Sequence, residues 1–357
     1  MPEKVLLVGS NVRNVAESAK KAGYDVIAVA KHCDADLEIY CDTVRRFTSL
    51  EEAKKIAEEL AQAENAKVVL CSGCELLKVK AELLCNDPRD VKEVVDKLRF
   101  YRRLEREGIP HPELGDFGER TILKPRIGGG GEDVVFGREE REGFVKQRFV
   151  DGLACSVSLI VGGEATPIAA NEILVGWSEM HASGFRYSGN VTPLFDAEKV
   201  EKIEKLAVEV VSLFNLRGSV GVDFVYADKP YVLEINPRFQ GSLDSVEWSC
   251  DVNVFAMHVA AFEGRKVERV KPKRFAARAV LFAPEKLKVA ANLAGNPFFA
   301  DVPKAGEVYD RGEPLVSILA SGGSREEVIS RVRERKNVFL SFCDSAVRSR
   351  HRGALKR

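Results

Sequence analysis

The residues best suited to chemistry lie in two neighbouring segments in the second half of the chain. One segment contains Asp223, and the next contains Glu234, Asn236 and Arg238. Glu234 and Asn236 are two residues apart, so both side chains leave the same face of a strand. Two carboxylates and an amide oxygen are hard ligands that suit a Mg²⁺ ion bridging substrate phosphates. Arg238 keeps its charge and could neutralise a developing acyl phosphate or phosphoryl group.

A second group of residues could bind phosphates and a purine. Lys124 precedes a glycine run at residues 128–131, whose backbone N–H groups could approach phosphate oxygens closely. Lys97 stands at the head of a charged helical segment. Residues 146–152 predict a strand that ends in a turn, where backbone groups could contact a purine edge and Asp151 could contact ribose hydroxyls. Taken singly, the glycines also fit a flexible hairpin tip, and Lys97 also fits an ordinary surface helix.

The elements that must position these residues begin with alternating strands and helices. The first strands are predicted at residues 4–9, 24–29 and 66–70, with helices between them. This alternation predicts a parallel, doubly wound sheet. The turn after the first strand has one glycine, Gly9, and therefore lacks the glycine-rich fingerprint of a dinucleotide site.

The next part of the chain predicts a helix and then a flap. Residues 90–108 are helical and highly charged in pattern. We place the first domain boundary near residue 95. Residues 121–125 and 134–136 predict two strands joined by the glycine loop. Two strands joined in this way form a flap.

A hairpin and a cap complete the predicted architecture. Residues 218–226 and 231–236 predict two strands that face each other across a four-residue turn, so Asp223 could project from the same face as Glu234. After a helix that ends near Gly264, the pattern predicts a small β-rich cap with a final helix.

In this order the motifs resemble those of the ATP-grasp superfamily. They are Asp96-Lys97 before a helix that ends in Gly-Ile-Pro, Ile-Leu-Lys-Pro with its glycine loop, Gln-Arg-Phe-Val-Asp-Gly, and Gly-Val-Asp-Phe before Leu-Glu-Ile-Asn-Pro-Arg. The resemblance covers roughly residues 1–265. It implies an α/β fold in which a doubly wound N-terminal domain precedes an ATP-grasp domain of α+β character.

The resemblance also implies domain boundaries. The N-terminal domain would occupy residues 1–95 and the ATP-grasp domain residues 96–265. Within the grasp, a flap lobe would cover about residues 110–150 and a metal-binding lobe about residues 151–265. The cap and a basic tail would occupy residues 266–357.

Roles for individual residues follow from the resemblance, with ATP and Mg²⁺ as cofactors. Arg238 would be catalytic, because it would stabilise the acyl phosphate and the tetrahedral species formed when a nucleophile attacks it. Asp223, Glu234 and Asn236 would hold the magnesium ions. The residues that would bind ATP are Lys97 and Lys124 at the phosphates, Gly128, Gly129, Gly130 and Gly131 in the flap, Gln147, Phe149 and Val150 at the adenine, Leu233 beneath the purine, and Asp151 at the ribose.

Two branches of the superfamily are similar to this sequence. The segment that begins at Arg238 resembles biotin carboxylase, but Ser242 stands where that enzyme has a glutamate base, and serine cannot act as that base at neutral pH. Asp244 or Glu247 could substitute for it. Residues 301–314 resemble predicted ATP-dependent carboligases related to biotin carboxylase. The N-terminal domain and the Glu-Ile-Asn-Pro-Arg strand are also similar to amino-acid ligases of cofactor pathways, such as tyramine–glutamate ligase.

These resemblances imply an ADP-forming ligase that activates a carboxylate as an acyl phosphate and joins it to an amine. A carboxylase or carbamoyl-forming enzyme and an ATP-binding protein without turnover are the alternatives. The acceptor would bind where residues 187–193 approach the metal-binding hairpin. Arg186 could bind a substrate carboxylate, Asn190 lies in the same segment, and Ser242 with Asp244 could recognise an amine.

Composition excludes other classes of protein. The 357 residues include 54 Lys plus Arg and 54 Asp plus Glu, so no surplus of positive charge indicates nucleic-acid binding. The chain is 45% hydrophobic and 30% charged, which is typical of globular proteins. No apolar run reaches the ~18–20 residues of a membrane helix. No signal peptide precedes the first strand, so we expect a cytoplasmic protein that acts on small molecules.

Three smaller features complete the sequence-based picture. Cys71 and Cys74 have C-x-x-C spacing, but no second pair or His cluster completes a zinc site. The last ten residues carry five basic side chains, which we interpret as a solvated tail rather than an RNA contact. The oligomeric state is not encoded in any motif, although a homodimer is common among relatives.

Overall fold

The computed structural model describes residues 2–345, and the predicted basic tail lies outside this range. Within it, no helix is both long enough and apolar enough to span a membrane. The strands are, in chain order, β1 Lys4–Gly9, β2 Asp25–Ala30, β3 Thr43–Arg46, β4 Lys67–Leu70, β5 Thr121–Pro125, β6 Val135–Phe136, β7 Phe144–Arg148, β8 Leu153–Val161, β9 Ala165–Val175, β10 Tyr187–Thr192, β11 Gly218–Tyr226, β12 Pro230–Asn236, β13 Phe275–Phe282, β14 Leu287–Val289, β15 Phe299–Ala300, β16 Val308–Tyr309, β17 Pro314–Gly322 and β18 Cys343–Ser345. The α-helices are α1 Arg13–Lys21, α2 Leu37–Tyr40, α3 Leu50–Glu64, α4 Pro88–Val95, α5 Lys97–Arg106, α6 Ala197–Ser212, α7 Leu243–Cys250, α8 Val254–Phe262 and α9 Arg325–Ser341.

The N-terminal region is a parallel sheet with the strand order β3-β2-β1-β4. Apart from its first residue, each of β1, β2 and β4 is buried throughout, as expected for a sheet that is covered on both faces. The predicted parallel sheet is confirmed. The short elements α2 and β3 were not predicted, because β3 contains four residues, none of them fully buried, and two of them are arginines.

The single charged helix predicted after this domain is two helices, α4 and α5. They meet at Asp96, whose backbone is extended with ψ at 98°. The Asp96 carboxylate accepts a hydrogen bond from the Leu98 N–H at 3.1 Å and so caps α5. The break makes Lys97 the first residue of α5.

The flap is an antiparallel sheet with the order β6-β5-β7. A larger antiparallel sheet has the order β12-β11-β8-β9-β10-β13-β17-β15. Its strands β13, β15 and β17 come from the region predicted as a separate cap. They continue the sheet because β13 pairs with β10 over four residues, which sequence patterns within each strand cannot reveal. Strands β14, β16 and β18 form a small third antiparallel sheet.

Two hydrophobic cores join these layers. One core packs α1 of the N-terminal domain against α7 and α8, with Val15 and Phe255 among its buried side chains. The other packs α5 and α6 against the large sheet, with Phe100 and Ile203 among its members. Full burial of a side chain of this size contributes roughly 1.5–3 kcal/mol. The cores therefore hold the N-terminal domain close to the end of β12, where the predicted metal ligands lie.

A buried group of charges lies where the N-terminal domain, the large sheet and the C-terminal region meet. We call Arg13, Asp36, Asp244, Arg278 and Asp301 the junction cluster. The Arg13 Nη2 atom donates to both carboxylate oxygens of Asp244, at 2.8 and 2.7 Å. The Arg278 Nη2 atom donates to Asp301 at 2.6 Å, and the Asp301 N–H donates to Asp36 at 3.0 Å. These contacts connect all three parts of the chain.

Candidate active site

The β11–β12 hairpin brings the predicted metal ligands together. Asp223 lies directly opposite Glu234 in the antiparallel register. The Asn236 amide donates to the Asp223 carboxylate at 3.1 Å. The Arg238 Nη2 atom donates to the Asn236 side-chain oxygen at 3.1 Å. The four side chains identified from their spacing therefore form one continuous polar group.

The two carboxylates of this group are electrostatically different. Burial raises the pKa of Asp223, and the neighbouring Glu234 charge raises it further. Burial also acts to raise the pKa of Glu234, but the charges of Lys97, Lys124 and Arg238 outweigh it and lower that pKa. A bound divalent cation would remove the repulsion between the carboxylates, so this pair is suited to hold one.

The two predicted phosphate-binding lysines lie beside Glu234. The Lys97 Nζ atom is 3.5 Å from the Glu234 carboxylate and donates to the Gly128 carbonyl at 2.6 Å. Burial lowers the pKa of Lys124 to about 8, with Lys97 adding to the effect and Glu234 opposing it. Within residues 2–345, the Lys124 ammonium has no hydrogen-bond or ion-pair partner. Its charge is therefore available for an anionic ligand.

The glycine loop lies against the large-sheet side of the cleft. The Tyr187 N–H donates to the Gly130 carbonyl at 2.9 Å. Gly131 has φ of +70°, and a Cβ atom there would lie only 1.9 Å from the Phe185 carbonyl oxygen. Only glycine fits this contact, both for its conformation and for its size. These contacts hold the loop against residues 185–187.

The predicted adenine-binding strand contains a buried amide with an unsatisfied acceptor. Gln147 is fully buried, and its amide nitrogen donates to the Pro112 carbonyl at 2.8 Å. Its side-chain oxygen has no hydrogen-bond partner among the described residues. A buried acceptor without a partner is costly. This oxygen has almost no exposed surface, so an adenine amino group would need a local rearrangement to reach it. The Phe149 N–H already donates to the Arg120 carbonyl, so that group is not free for a purine.

These elements line one cleft, whose cavity volume is about 650 Å³. Its lining includes every residue predicted to bind ATP or metal, together with Arg238: Lys97, Lys124, Gly128, Gly129, Gly130, Gly131, Gln147, Phe149, Val150, Asp151, Asp223, Leu233, Glu234, Asn236 and Arg238. The volume is sufficient for a nucleotide and a small second molecule.

Residues 94–242 match the family model of the ATP-grasp domain. This chain contains an ATP-grasp domain. The predictions of the superfamily and of the fold class are therefore confirmed. Proteins of the ATP-grasp superfamily are ATP-dependent ligases, and their cofactors are ATP and Mg²⁺.

The chain is similar to several known proteins. An uncharacterized protein of Methanocaldococcus jannaschii is 26% identical over 354 residues, which cover 89% of this chain and 88% of that protein. Tyramine–L-glutamate ligase of Methanocaldococcus fervens is 29% identical over 205 residues, which cover 57% of this chain and 64% of that enzyme. The structure of phosphoribosylamine–glycine ligase of Thermotoga maritima matches with a TM-score of 0.73 at 18% identity, covering 96% of this chain and 97% of that one. At this identity the structural match shows the fold alone.

Three of the four predicted acceptor residues lie away from the cleft of the ATP-grasp domain. The Arg186 Nη1 atom donates to the Gly312 carbonyl at 2.7 Å. Asn190 is fully buried. Its amide nitrogen donates to the Ser245 hydroxyl at 2.5 Å, and its side-chain oxygen accepts from the Tyr187 hydroxyl. Asp244 is occupied by Arg13 in the junction cluster. In each case the side chain forms a hydrogen bond or ion pair with a residue far away in the sequence. Only Ser242 lines the cleft, 3.2 Å from the Ser158 hydroxyl.

The end of the cleft near Ser242 is lined by Tyr187, which belongs to the segment predicted to bind the acceptor. It is also lined by three residues that sequence patterns did not single out: Asn11, Asn14 and Arg278. Arg278 comes from a strand of the C-terminal region, and its Nη1 atom donates to the Gly241 carbonyl at 2.9 Å. No motif surrounds Arg278, and the pairing of β13 with β10, which sets it opposite Asn190, brings it to the site.

The oxygen ligands in the cleft suit a magnesium ion that binds together with a nucleotide. Within residues 2–345, no three His, Cys, Asp or Glu side chains form a metal site by themselves. Asp223, Glu234 and Asn236 supply two carboxylates and one amide, which are oxygen ligands. Mg²⁺ typically binds one or two protein carboxylates and completes its shell with substrate phosphates and water. The residues therefore fit a magnesium–nucleotide complex better than a resident metal ion.

Proposed function

We propose that this protein is an ADP-forming ligase that activates a carboxylate as an acyl phosphate and joins it to an amine. The observation that carries the proposal is the charge arrangement in the cleft. The Lys124 ammonium has no partner among the described residues, and it lies beside a carboxylate pair whose shared charge requires a cation. A nucleotide triphosphate with its magnesium would satisfy both groups at once.

Each group would have a distinct task. Lys97 and Lys124 would bind the phosphates, and the flap glycines 128–131 would cover them and exclude water. Gln147 would hold the adenine, with Leu233 beneath it. Asp223, Glu234 and Asn236 would hold magnesium, which supplies charge neutralisation at the phosphates. Arg238 would stabilise negative charge on the transferred group. Catalysis of this kind depends on positioning and on preorganised charge.

Both proposed substrates are small molecules. One protein that this chain is similar to is tyramine–L-glutamate ligase, whose name pairs an amine with an amino acid. That similarity supports a carboxylate–amine ligase without indicating which substrates this chain uses. The end of the cleft lined by Asn11, Tyr187, Ser242 and Arg278 is where we propose that the second substrate binds.

The test is a screen for Mg²⁺-dependent ADP and phosphate release. Amino acids, amines, cofactor intermediates and bicarbonate are supplied singly and in pairs. A ligase releases ADP only when a correct carboxylate and amine are both present. Release with bicarbonate would instead indicate a carboxylase. Tight ATP binding without ADP release against the whole panel would support a binding protein and contradict the proposal.

Variants of the hairpin test the metal assignment within that screen. Glu234→Gln and Asn236→Ala should each reduce turnover by about 100-fold or more, because each removes a ligand that offsets charge in the transition state. Glu198→Gln is the matched control, since Glu198 is exposed on helix α6 and its ion pair is with Lys202 on the same helix. Unchanged turnover in the two hairpin variants would show that the metal assignment is wrong.

A further inference from the structure

The segment that follows β4 in the N-terminal domain reaches the end of the metal-binding hairpin. The Arg238 Nε atom donates to the Glu75 carboxylate at 2.5 Å. The two side chains are only 15% and 18% exposed, so the ion pair is shielded from solvent. Glu75 does not line the cleft, whereas Arg238 does. Glu75 therefore does not contact a ligand in the cleft directly, and its contact with the site is the ion pair with Arg238.

Asn86, from the same segment, connects the two strands of the hairpin at their open end. Its amide nitrogen donates to the Pro237 carbonyl at 3.0 Å, directly before Arg238. Its oxygen accepts from the Arg217 N–H at 2.6 Å, directly before β11. Asn86 is 7% exposed. The N-terminal domain thus contacts both the backbone that carries Arg238 and the side chain itself.

The contacts of Arg238 leave part of its guanidinium free. Nε donates to Glu75, Nη1 donates to the Phe239 carbonyl at 2.9 Å, and Nη2 donates to Asn236 at 3.1 Å. A guanidinium has five N–H groups, so these three bonds leave one N–H on each terminal nitrogen without a partner among residues 2–345. The contact through Nε acts with the bonds of the two terminal nitrogens to set the orientation of the guanidinium plane.

We propose that Glu75 is a positioning residue for Arg238, and that the N-terminal domain thereby completes the active site. This inference rests on the proposed function, because it takes Arg238 as the group that contacts the transferred phosphoryl. Glu75 holds the guanidinium plane so that its free N–H groups face the cleft, while Asn86 fixes the backbone beneath it. Without Glu75, the arginine keeps its charge but samples other rotamers, so phosphoryl binding weakens while nucleotide binding does not.

The test compares Glu75→Gln with Glu82→Gln. Glutamine keeps the shape and one acceptor oxygen but loses the charge. Glu82 lies in the same segment, is 73% exposed and stands 3.9 Å from Lys67, so its variant controls for a charge change there. The first measurement is calorimetric binding of MgADP. The second is binding of inorganic phosphate to the MgADP complex, which requires no knowledge of the second substrate.

We expect Glu75→Gln to bind MgADP as the parent protein does but to bind phosphate about tenfold more weakly, as is typical when a supporting partner is lost. Glu75→Asp should recover part of the affinity. Adding Glu75→Gln to Arg238→Lys should cause no further loss, because both changes act on one group. Where turnover is found, kcat should fall about tenfold with KM for ATP unchanged.

Other outcomes separate this inference from the proposed function. If Glu75→Gln binds phosphate like Glu82→Gln, the positioning role is refuted while the ligase proposal stands. If it weakens MgADP and phosphate equally and lowers the unfolding temperature, Glu75 has a structural role only. If the unsubstituted protein does not bind MgADP, both the proposed function and this inference are refuted.

Discussion

The junction cluster and the charges of the cleft are both buried, but their charges are paired in different ways. We use the name cleft cluster for Lys97, Lys124, Asp223 and Glu234. In the junction cluster Arg13 meets Asp244 at 2.7 Å, and Arg278 meets Asp301 at 2.6 Å. In the cleft cluster the shortest ion pair, Lys97 to Glu234, is 3.5 Å long.

We propose that this difference distinguishes charges that stabilise the fold from charges that bind a ligand, although Arg278 of the junction cluster also lines the cleft. Buried charges normally need close, hydrogen-bonded partners, and the junction cluster provides them from three parts of the chain. The cleft cluster leaves Lys124 without a partner in the described part of the chain and raises the pKa of Asp223 through burial and Glu234. Incompletely paired charge in a cleft is a property of sites that bind charged ligands.

The largest expected effect is on stability, at the junction. Arg13→Met leaves the buried Asp244 carboxylate without its bidentate partner, so we expect the free energy of unfolding to fall by about 3–5 kcal/mol. Urea unfolding of the ligand-free protein measures this loss. Lys304→Ala is the control, because its pair with Glu38 is 2.6 Å long but exposed and should contribute less than about 1 kcal/mol. Equal losses in both variants would contradict the distinction between the clusters.

The matching change in the cleft is Lys124→Met, which also removes a largely buried cation. Here no partner loses a hydrogen bond, so we expect the free energy of unfolding to change by less than about 1 kcal/mol. The dissociation constant for MgATP should instead rise about tenfold or more, since a charge-assisted phosphate contact is lost. Calorimetric titration with MgATP measures that change. A strongly destabilised Lys124→Met protein with normal MgATP affinity would place Lys124 among the structural charges.

Most of the cleft cluster was predictable from local sequence patterns, whereas Lys97 was assigned only through the resemblance to the ATP-grasp superfamily. Glu234 and Asn236 occupy alternate positions of one strand, and the hairpin turn brings Asp223 opposite Glu234. Lys124 lies on a short strand next to its glycine loop. Spacing along a strand and turn chemistry depend on neighbouring residues, so a single sequence contains the information.

The junction cluster was not predictable, because its partners are far apart in the chain. Arg13 and Asp244 are separated by 231 positions, and Asp244 was assigned to an acceptor site that it does not line. Arg278 reaches the cleft through the pairing of β13 with β10. Such contacts depend on how sheets and domains pack, which local patterns do not specify. For the same reason the role of Glu75 was not predicted, because its ion pair with Arg238 spans 163 positions.

The raised pKa of Asp223 predicts how magnesium binding depends on pH. Below that pKa the carboxyl is protonated and a proton competes with the metal, so affinity should increase as pH rises. We expect the apparent Mg²⁺ affinity in the presence of ADP to increase between pH 6 and 8, by up to about tenfold per pH unit.

Asp223→Asn removes the competing proton, so its Mg²⁺ affinity should be weaker and nearly independent of pH over the same range. Titration of Mg²⁺ into the ADP-bound protein at several pH values measures both proteins. The same slope in Asp223→Asn would assign the pH dependence to another group, such as the nucleotide.

The smallest expected effect has the opposite sign and comes from Lys124, whose pKa burial lowers to about 8. Lys124 carries its charge below that pH and loses it above, so MgATP affinity should fall a few-fold between pH 7 and 9. Lys124→Arg keeps its charge throughout, because a guanidinium has a pKa above about 12, and should bind MgATP with little pH dependence. Parallel titrations at constant ionic strength compare the two proteins. A matching fall in Lys124→Arg would mean that Lys124 is not the titrating group, and that its charge is better paired than its surroundings indicate.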